Sequence, residues 1–215
     1  ISSSGHLVIA QYFFSGASDH LLLEFINIGT FLALLVYFRK KIVTIIRDIF
    51  VNRRFKLLIN ILLTSIPAGI VGFVLSDFIA SNAFFGSLIV VTCTLLVVGV
   101  VMIVLEKLPK ASAVKDGEAL SPIRAFIIGL AQMAALFPGV SRSGSTMIAG
   151  RLSGLSAAAA AEYSFLASLP IMFGVTLKTL VSDRAYLIDN IAPLLVGNIV
   201  AFAAGLWAVS FLIKY

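Results

Sequence analysis

The sequence predicts an all-α polytopic membrane protein, and three observations lead to this fold class. The 215 residues are 60% hydrophobic and only 12% charged, and the mean hydropathy is +1.08, far from the composition of soluble domains. Apolar runs long enough to cross a bilayer recur along the chain. Two polar, glycine-containing segments interrupt this pattern, as in broken membrane helices. The composition excludes a secreted disulfide scaffold, a disordered tail and a nucleic-acid-binding module.

Five apolar runs are predicted to span the membrane. They cover residues 21–38, 57–79, 84–105, 157–177 and 191–213. The second run carries Pro67, where we expect a kink because proline removes a backbone donor. Residues 123–137 are apolar but too few to span as an ordinary helix. The polar segment 178–190 is predicted to be a solvated loop.

Basic residues set the predicted orientation. Residues 39–56 and 106–124 together hold 11 of the 16 lysines and arginines. The positive-inside rule makes both segments cytoplasmic. Basic and apolar residues alternate in the first of them, which predicts an amphipathic segment lying in the membrane interface. The net charge of +6 is therefore interpreted as topology, and no nucleic-acid partner is expected.

The two polar breaks are similar in sequence. Residues 1–10 aligned on 140–149 agree at half of the positions, which are Ser2/Ser141, Ser4/Ser143, Gly5/Gly144, Ile9/Ile148 and Ala10/Ala149. With a one-residue gap the alignment continues to Glu24 and Glu162, each early in the next apolar run. This agreement predicts an internal duplication.

The predicted organisation is one transmembrane domain, residues 1–215, made of two repeats. Repeat 1 covers about residues 1–105 and repeat 2 about 123–215, with a cytoplasmic linker at 106–122. If each break is re-entrant, an odd number of crossings separates them. This count favours inverted repeats with two re-entrant helix hairpins.

The second break has the residue types of an anion site. Arg142 offers a planar fork of donors, its neighbours offer hydroxyls, and Gly144 lets the backbone approach a ligand, a combination suited to phosphate oxygens. An arginine inside the membrane normally faces a cavity or a charged partner. We therefore expect Arg142 to bind a ligand. The alternative is a structural ion pair with Glu24 or Glu162.

The first break could supply a nucleophile and a base. Ser3 and His6 are three residues apart, so both side chains would share one face of a helix. A neutral histidine can take the proton of a serine hydroxyl near neutral pH. The alternative is an interfacial histidine without a catalytic role.

Other polar residues inside apolar runs have less specific interpretations. Glu24 and Glu162 could bind a cation, relay protons or pair with Arg142. Gln132 is expected to form a hydrogen bond between helices.

Residues 1–6, ISSSGH, and 138–146, PGVSRSGST, resemble the two signature segments of the bacterial undecaprenyl-diphosphate phosphatase family, the BacA-type bacitracin-resistance proteins. The resemblance covers essentially all 215 residues. It implies an enzyme of the bacterial inner membrane that removes the terminal phosphate of the C55 diphosphate lipid and so recycles the carrier for peptidoglycan synthesis. It also implies inverted repeats and an active site facing the outer side.

The resemblance further implies residue roles. Ser3 corresponds to the proposed nucleophile, His6 to its base or acid, and Arg142 to the clamp on the diphosphate. The remaining substrate-binding positions are Ser4, Gly5, Ser141, Ser143, Gly144 and Thr146. Glu24, Gln132 and Glu162 fall where the family has similar residues and are expected to support the site.

A divalent cation, Mg²⁺ or Ca²⁺, is also implied by the resemblance. The family's acidic pair, of the form ExxxE, would precede Ile1, so the metal ligands in this chain are unknown. A last helix would follow Tyr215, and we expect the 215 residues alone to be weakly active or inactive. The expected partners are a polyprenyl diphosphate lipid and the bilayer, and a homodimer is compatible with these features.

Two other classes of function remain open from the sequence. Broken helices in inverted repeats are also how secondary carriers are built, so the alternative is a polyprenyl-phosphate lipid transporter or flippase. A structural subunit would leave Ser3, His6 and Arg142 replaceable. Within the phosphatase hypothesis, Ser3 either forms a phospho-enzyme or orients the attacking water.

Overall fold

The computed structural model describes residues 2–16, 19–82, 84, 87–107 and 113–214. Its α-helices are α1 Ser3–Ser15, α2 His20–Tyr37, α3 Arg39–Phe50, α4 Lys56–Val74, α5 Ser76–Ser81, α6 Leu88–Lys107, α7 Pro122–Gln132, α8 Arg142–Leu152, α9 Ala157–Ser182, α10 Arg184–Asp189 and α11 Ile191–Lys214. A 3₁₀ helix, Met133–Leu136, follows α7. These described residues form no strand, and Val114 and Leu155 make an isolated bridge. The all-α prediction is confirmed.

Five helices of the described chain are long and apolar enough to cross a membrane. They are α2, α4, α6, α9 and α11, and each matches one predicted run. Pro67 lies inside α4, and the kink expected there stays a prediction. The run 57–79 is nevertheless two helices, because α4 ends at Val74 and α5 begins at Ser76. The chain is a multi-pass membrane protein.

The segment 178–190 differs from its prediction, because it is helical rather than a loop. Helix α9 continues to Ser182, and α10 follows directly. The side chain of Thr179 is buried and donates a hydrogen bond of 3.0 Å to the Glu24 carboxylate. Because the polar side chain of Thr179 is buried and hydrogen-bonded, α9 can continue beyond its apolar residues.

The short apolar segment forms the expected non-spanning helix. Ser121 caps the N-terminus of α7, since its hydroxyl accepts from the Arg124 amide at 3.4 Å, and Pro122 stands in the first turn. The 3₁₀ helix then ends the segment before Phe137. Residues 108–112 of the predicted linker lie outside the described residues, as does Ile1.

The chain groups into two compact units. The first contains residues 1–18 and 56–167, and the second contains residues 19–55 and 168–215. The two polar breaks of the sequence therefore belong to the same unit. The predicted repeat boundaries and their inverted relationship stay predictions.

The second unit is built around α2 and α11. The amide of Gly29 donates to the side-chain oxygen of Asn198 at 2.5 Å, and a Cβ on Gly29 would overlap the Asn198 backbone. Small residues at this crossing let the two backbones approach closely. The predicted amphipathic segment is α3, whose apolar residues Val43, Ile46 and Phe50 are exposed.

In the first unit, α4 and α7 cross with their backbones almost in contact. A Cβ on Gly129 would lie 2.7 Å from the Leu63 carbonyl oxygen and 2.8 Å from that of Thr64. The Thr64 hydroxyl donates to the Ala125 carbonyl at 2.8 Å. These contacts fix α7, and with it the chain that leads into α8.

Candidate functional site

Each of the two polar breaks begins a helix in which a serine hydroxyl caps the first turn. The Ser2 hydroxyl accepts from the Gly5 amide at 3.3 Å at the start of α1. The Ser141 hydroxyl accepts from the Gly144 amide at 3.0 Å at the start of α8. The sequence alignment pairs these residues, so the repeated motif makes the same capping hydrogen bond twice. The backbone at the cap differs, because Ser2 is left-handed with a φ of 45° and Ser141 is extended with a φ of −67°.

Both helix N-termini pack against one face of α6. A Cβ on Gly5 would lie 3.1 Å from Leu95 Cδ1, and a Cβ on Gly144 would lie 3.3 Å from Val98 Cγ1. Leu95 and Val98 are three residues apart and thus neighbours on the helix surface. The structure therefore brings the two breaks to adjacent positions on α6. Helix N-termini carry unsatisfied N–H groups and a partial positive charge, which favour anions.

Arg142 is the first residue of α8, and its side chain is half-buried. No salt bridge joins the Arg142 guanidinium to a described residue, so the alternative pairing with Glu162 does not form. The Arg142 guanidinium also makes no hydrogen bond to the described residues. An arginine held partly out of solvent without a partner is unfavourable unless an anion neutralises it. The geometry makes this guanidinium available to a ligand.

His6 is held in a defined tautomer. Its Nδ1 lies 2.9 Å from the Ser2 carbonyl oxygen, and since a carbonyl only accepts, Nδ1 carries the proton. The other ring nitrogen, Nε2, is then unprotonated in the neutral ring. Ser3 lies one turn earlier on α1, and both side chains are exposed. No hydrogen bond joins Ser3 to His6 here, although catalytic contacts often tighten only when substrate binds.

The hydroxyls of α8 divide into two groups. Ser143 is half-buried, and its hydroxyl lies 3.3 Å from that of Ser141. Thr146 is buried, its hydroxyl lies 3.0 Å from the Arg142 carbonyl oxygen in the same helix, and it is hydrogen-bonded to the Ser164 hydroxyl. Thr146 therefore faces the interior and ties α8 to α9.

Ser164 is a part of this arrangement that the sequence analysis missed. It is fully buried and donates to the Ser143 carbonyl at 3.1 Å. Its signal in the sequence is weak, a serine two residues after Glu162 in a mostly apolar run. Together with Thr146 it fixes the first two turns of α8.

The supporting residues occupy different places. Gln132 is buried, and its Nε2 donates to the Thr64 carbonyl at 2.9 Å, which confirms the expected bond between helices. Its Oε1 is buried without a partner among the described residues. Glu162 is half-buried on α9 in the first unit. Glu24 belongs to the second unit, where Thr179 donates to it and His20 Nδ1 lies 3.4 Å away.

The described residues do not provide a metal site. They contain no group of three or more His, Cys, Asp or Glu side chains that could hold a metal ion. The ligand set expected for a divalent cation therefore does not fit the part of the chain that the structure describes.

Comparison with known proteins gives one consistent result. A family model described as bacitracin resistance protein BacA matches residues 1–215. The chain is 36% identical to undecaprenyl-diphosphatase 1 of Burkholderia pseudomallei over 227 aligned residues, which cover 100% of the chain and 81% of that protein. It is 36% identical to the undecaprenyl-diphosphatase of Halothermothrix orenii, covering 99% of the chain and 81% of the relative. For the undecaprenyl-diphosphatase of Clostridium tetani the identity is 35%, with 100% and 81% covered.

Proposed function

The chain belongs to the BacA bacitracin-resistance family, and on this basis we propose that it is an integral-membrane phosphatase that hydrolyses undecaprenyl diphosphate. The products are undecaprenyl phosphate and inorganic phosphate, so the enzyme recycles the lipid carrier of cell-wall synthesis. Relatives similar over the whole chain are named undecaprenyl-diphosphatase. The structural observation that carries the proposal is the Arg142 guanidinium, which pairs with none of the described residues and stands at a helix N-terminus beside the first break.

Arg142 and the N-terminus of α8 would bind the diphosphate. In phosphoryl transfer the protein acts mainly by positioning and by stabilising charge on the phosphoryl oxygens. The guanidinium fork can donate two parallel hydrogen bonds to such oxygens. The first backbone amides of α8 add donors from the same direction.

Ser3 and His6 would handle the nucleophile. Hydrolysis breaks the bond between the terminal phosphorus and the bridging oxygen, and lipid monophosphate leaves. The unprotonated Nε2 of His6 can accept the proton of the attacking hydroxyl, from either Ser3 or a water molecule. If Ser3 attacks, a phosphoserine forms and water then hydrolyses it; if water attacks, Ser3 orients it.

We infer the location of the site from the substrate and from the charge pattern. The polyprenyl tail is apolar and stays in the bilayer while the headgroup reaches the break region. The two basic segments are assigned to the cytoplasm by the positive-inside rule. The proposal places the enzyme in the bacterial inner membrane with the site open to the outer side. The names of the relatives give the carrier alternative no support.

A divalent cation, Mg²⁺ or Ca²⁺, is part of the proposal. Its ligands would come from outside the described residues, because these hold no suitable group. Such an ion would neutralise charge on the diphosphate.

The test is phosphate release from undecaprenyl diphosphate in detergent by the full-length protein, with and without Mg²⁺ or Ca²⁺. Arg142→Ala and His6→Ala are expected to abolish release, while His20→Ala, on the other histidine of the chain, retains it. Ser3→Ala separates the two routes, since residual release would indicate water attack. A well-folded protein that releases no phosphate under any condition would refute the phosphatase.

A further inference from the structure

Buried and half-buried residues lie along one face of helix α6, and most of its other residues are exposed. Val91 and Val98 are buried, and Thr94 and Leu95 are half-buried. The residues between them are exposed, namely Thr92, Cys93, Leu96 and Val97. The spacing i, i+3, i+4, i+7 places the protected residues on one helix face. Thr94 is the polar member of these four.

The turn that leads into α8 contacts this face of α6. The Thr94 hydroxyl donates to the Pro138 carbonyl at 2.5 Å, and it also lies 2.8 Å from the Val90 carbonyl oxygen of its own helix. Gly139 has a φ of 85°, and a Cβ there would overlap both the Thr94 hydroxyl and the Val91 carbonyl. The turn therefore packs directly against α6, and the Thr94 hydroxyl lies at the contact.

The position of this turn determines where α8 begins. The Val140 amide donates to the Phe137 carbonyl at 3.2 Å, which closes the turn around Pro138. The N-cap Ser141 follows at once, and Arg142 is the next residue. A shift of the Pro138 carbonyl would therefore carry the guanidinium and the first amides of α8 with it.

We propose that Thr94 is a positioning residue, which holds the Pro138–Gly139 turn so that Arg142 meets the substrate diphosphate in the productive geometry. The proposal rests on the proposed function, because the geometry matters only if Arg142 binds the reacting phosphates. Misplacement of a charge-stabilising group by a fraction of an ångström lowers the rate of the chemical step more than substrate binding.

The same helix offers a matched control. Thr92 lies two residues away, is exposed, and its hydroxyl donates to the Leu88 carbonyl at 2.8 Å within α6. Thr92→Val and Thr94→Val remove the same group from the same helix. Only the second removes a bond to the turn before α8.

The experiment measures kcat, KM and Tm of the full-length protein in detergent for Thr94→Val, Thr94→Ser and Thr92→Val. Loss of one well-placed hydrogen bond is expected to lower kcat about tenfold in Thr94→Val, with a smaller change in KM. Thr94→Ser keeps the hydroxyl and is expected to restore kcat, and Thr92→Val to match the wild type. Hydrogen exchange of the amides in residues 138–146 is expected to be faster in Thr94→Val than in Thr92→Val.

Three results would overturn the proposal. A lower Tm with unchanged kcat in Thr94→Val would show that the contact between Thr94 and Pro138 stabilises the fold but does not affect catalysis. A Thr94→Ser variant as impaired as Thr94→Val would assign the effect to the methyl group. Equal exchange of residues 138–146 in all three variants would show that the turn is not held by the hydroxyl, and this measurement applies even if the wild type releases no phosphate.

Discussion

Gly5 and Gly144 occupy the same position in two helices, the third residue after a serine N-cap, and both lie against the same face of α6. The closest contacts around the two glycines differ. A Cβ on Gly144 would lie 2.8 Å from the Ser141 Cβ, whereas the nearest atoms to one on Gly5 are the Leu95 Cδ1 and the Ser2 hydroxyl at 3.1 Å. The second site is therefore the tighter of the two.

We predict that Gly144→Ala is more damaging than Gly5→Ala. Overpacking against the cap is expected to cost about 1–3 kcal/mol, and the roughly 1 kcal/mol that alanine gains over glycine in a helix offsets only the lower end of this range. At Gly5 the nearest atoms, the Leu95 methyl groups and the Ser2 hydroxyl, lie 3.1 Å or more away, so the two effects should nearly cancel. The measurement is Tm and phosphate release in detergent. Gly99→Ala on α6, where a Cβ meets no atom within 4 Å, is the control, and equal losses in all three variants would contradict the prediction.

The spans of this protein could be predicted from the sequence because bilayer thickness determines the length of an apolar run. The extension of α9 could not, since it depends on the bond from Thr179 to Glu24 across 155 residues of sequence. From the sequence alone, Lys178 indicates the end of the apolar helix. The contact with the neighbouring helix α2 cannot be seen in the sequence. Length and hydropathy thus give the helices, and tertiary contacts decide their ends.

For the candidate site, the sequence predicts candidate ligand-binding residues but not the residues that support them. Arg142 and the two serine caps are recognisable because charge inside a membrane and a repeated motif are rare. Thr94 and Ser164 are single hydroxyls in apolar runs, and such residues usually bond to their own helix, as Thr92 does. Only the folded chain shows that the first two bond to the Pro138 turn and to α8.

A second prediction concerns the bond from the Tyr186 hydroxyl to the Asp19 carboxylate in the second unit. Burial opposes ionisation of Asp19, but the bonds from Tyr186 and from the Leu22 amide outweigh it, so the pKa of Asp19 lies below its ordinary value. Burial, and then the bond to Asp19 and its charge, raise the pKa of Tyr186 to about 12.

The sign of the pH dependence follows from these shifts. Asp19 stabilises the fold above its unfolded pKa and loses this effect as pH falls through the lowered value. Tyr186 stabilises it below its ordinary pKa and loses this effect as pH rises towards about 12. Tyr186→Phe keeps the ring stacked on Phe25, with centroids 5.8 Å apart, and removes only the hydroxyl. Its Tm deficit should be largest at roughly pH 5 to 9 and shrink on both sides.

The check is Tm against pH for the wild type and Tyr186→Phe in detergent. Tyr12→Phe, on an exposed tyrosine of the first unit, controls for the loss of a hydroxyl elsewhere. A deficit that is constant from acid to alkaline pH would mean that the bond does not depend on the ionised Asp19.

A third prediction concerns the hydroxyl pair that ties α8 to α9. Thr146 and Ser164 are both buried and bonded to each other, so neither is expected to act alone. In a double-mutant cycle of Thr146→Val and Ser164→Ala, the coupling free energy of unfolding is expected to be about 0.5–3 kcal/mol. The cycle is measured by denaturant unfolding in detergent. Additive losses would show that the pair does not hold the two helices together.

The last prediction separates the shape of Arg142 from its charge. Lysine keeps the positive charge but replaces the planar fork by a single ammonium group, which cannot donate two parallel bonds to a phosphate. We expect Arg142→Lys to lower kcat/KM by roughly 100-fold, since loss of one charge-stabilising donor in such sites has an effect of this order. Arg142→Ala should lose more activity, and added guanidinium should restore part of it.

The control is Arg151→Lys in the last turn of α8. The Arg151 side chain donates to the Leu155 carbonyl at 3.1 Å, and the activity of this variant should stay near that of the wild type. If Arg142→Lys retains full activity, charge alone suffices and the guanidinium fork is not what binds the diphosphate.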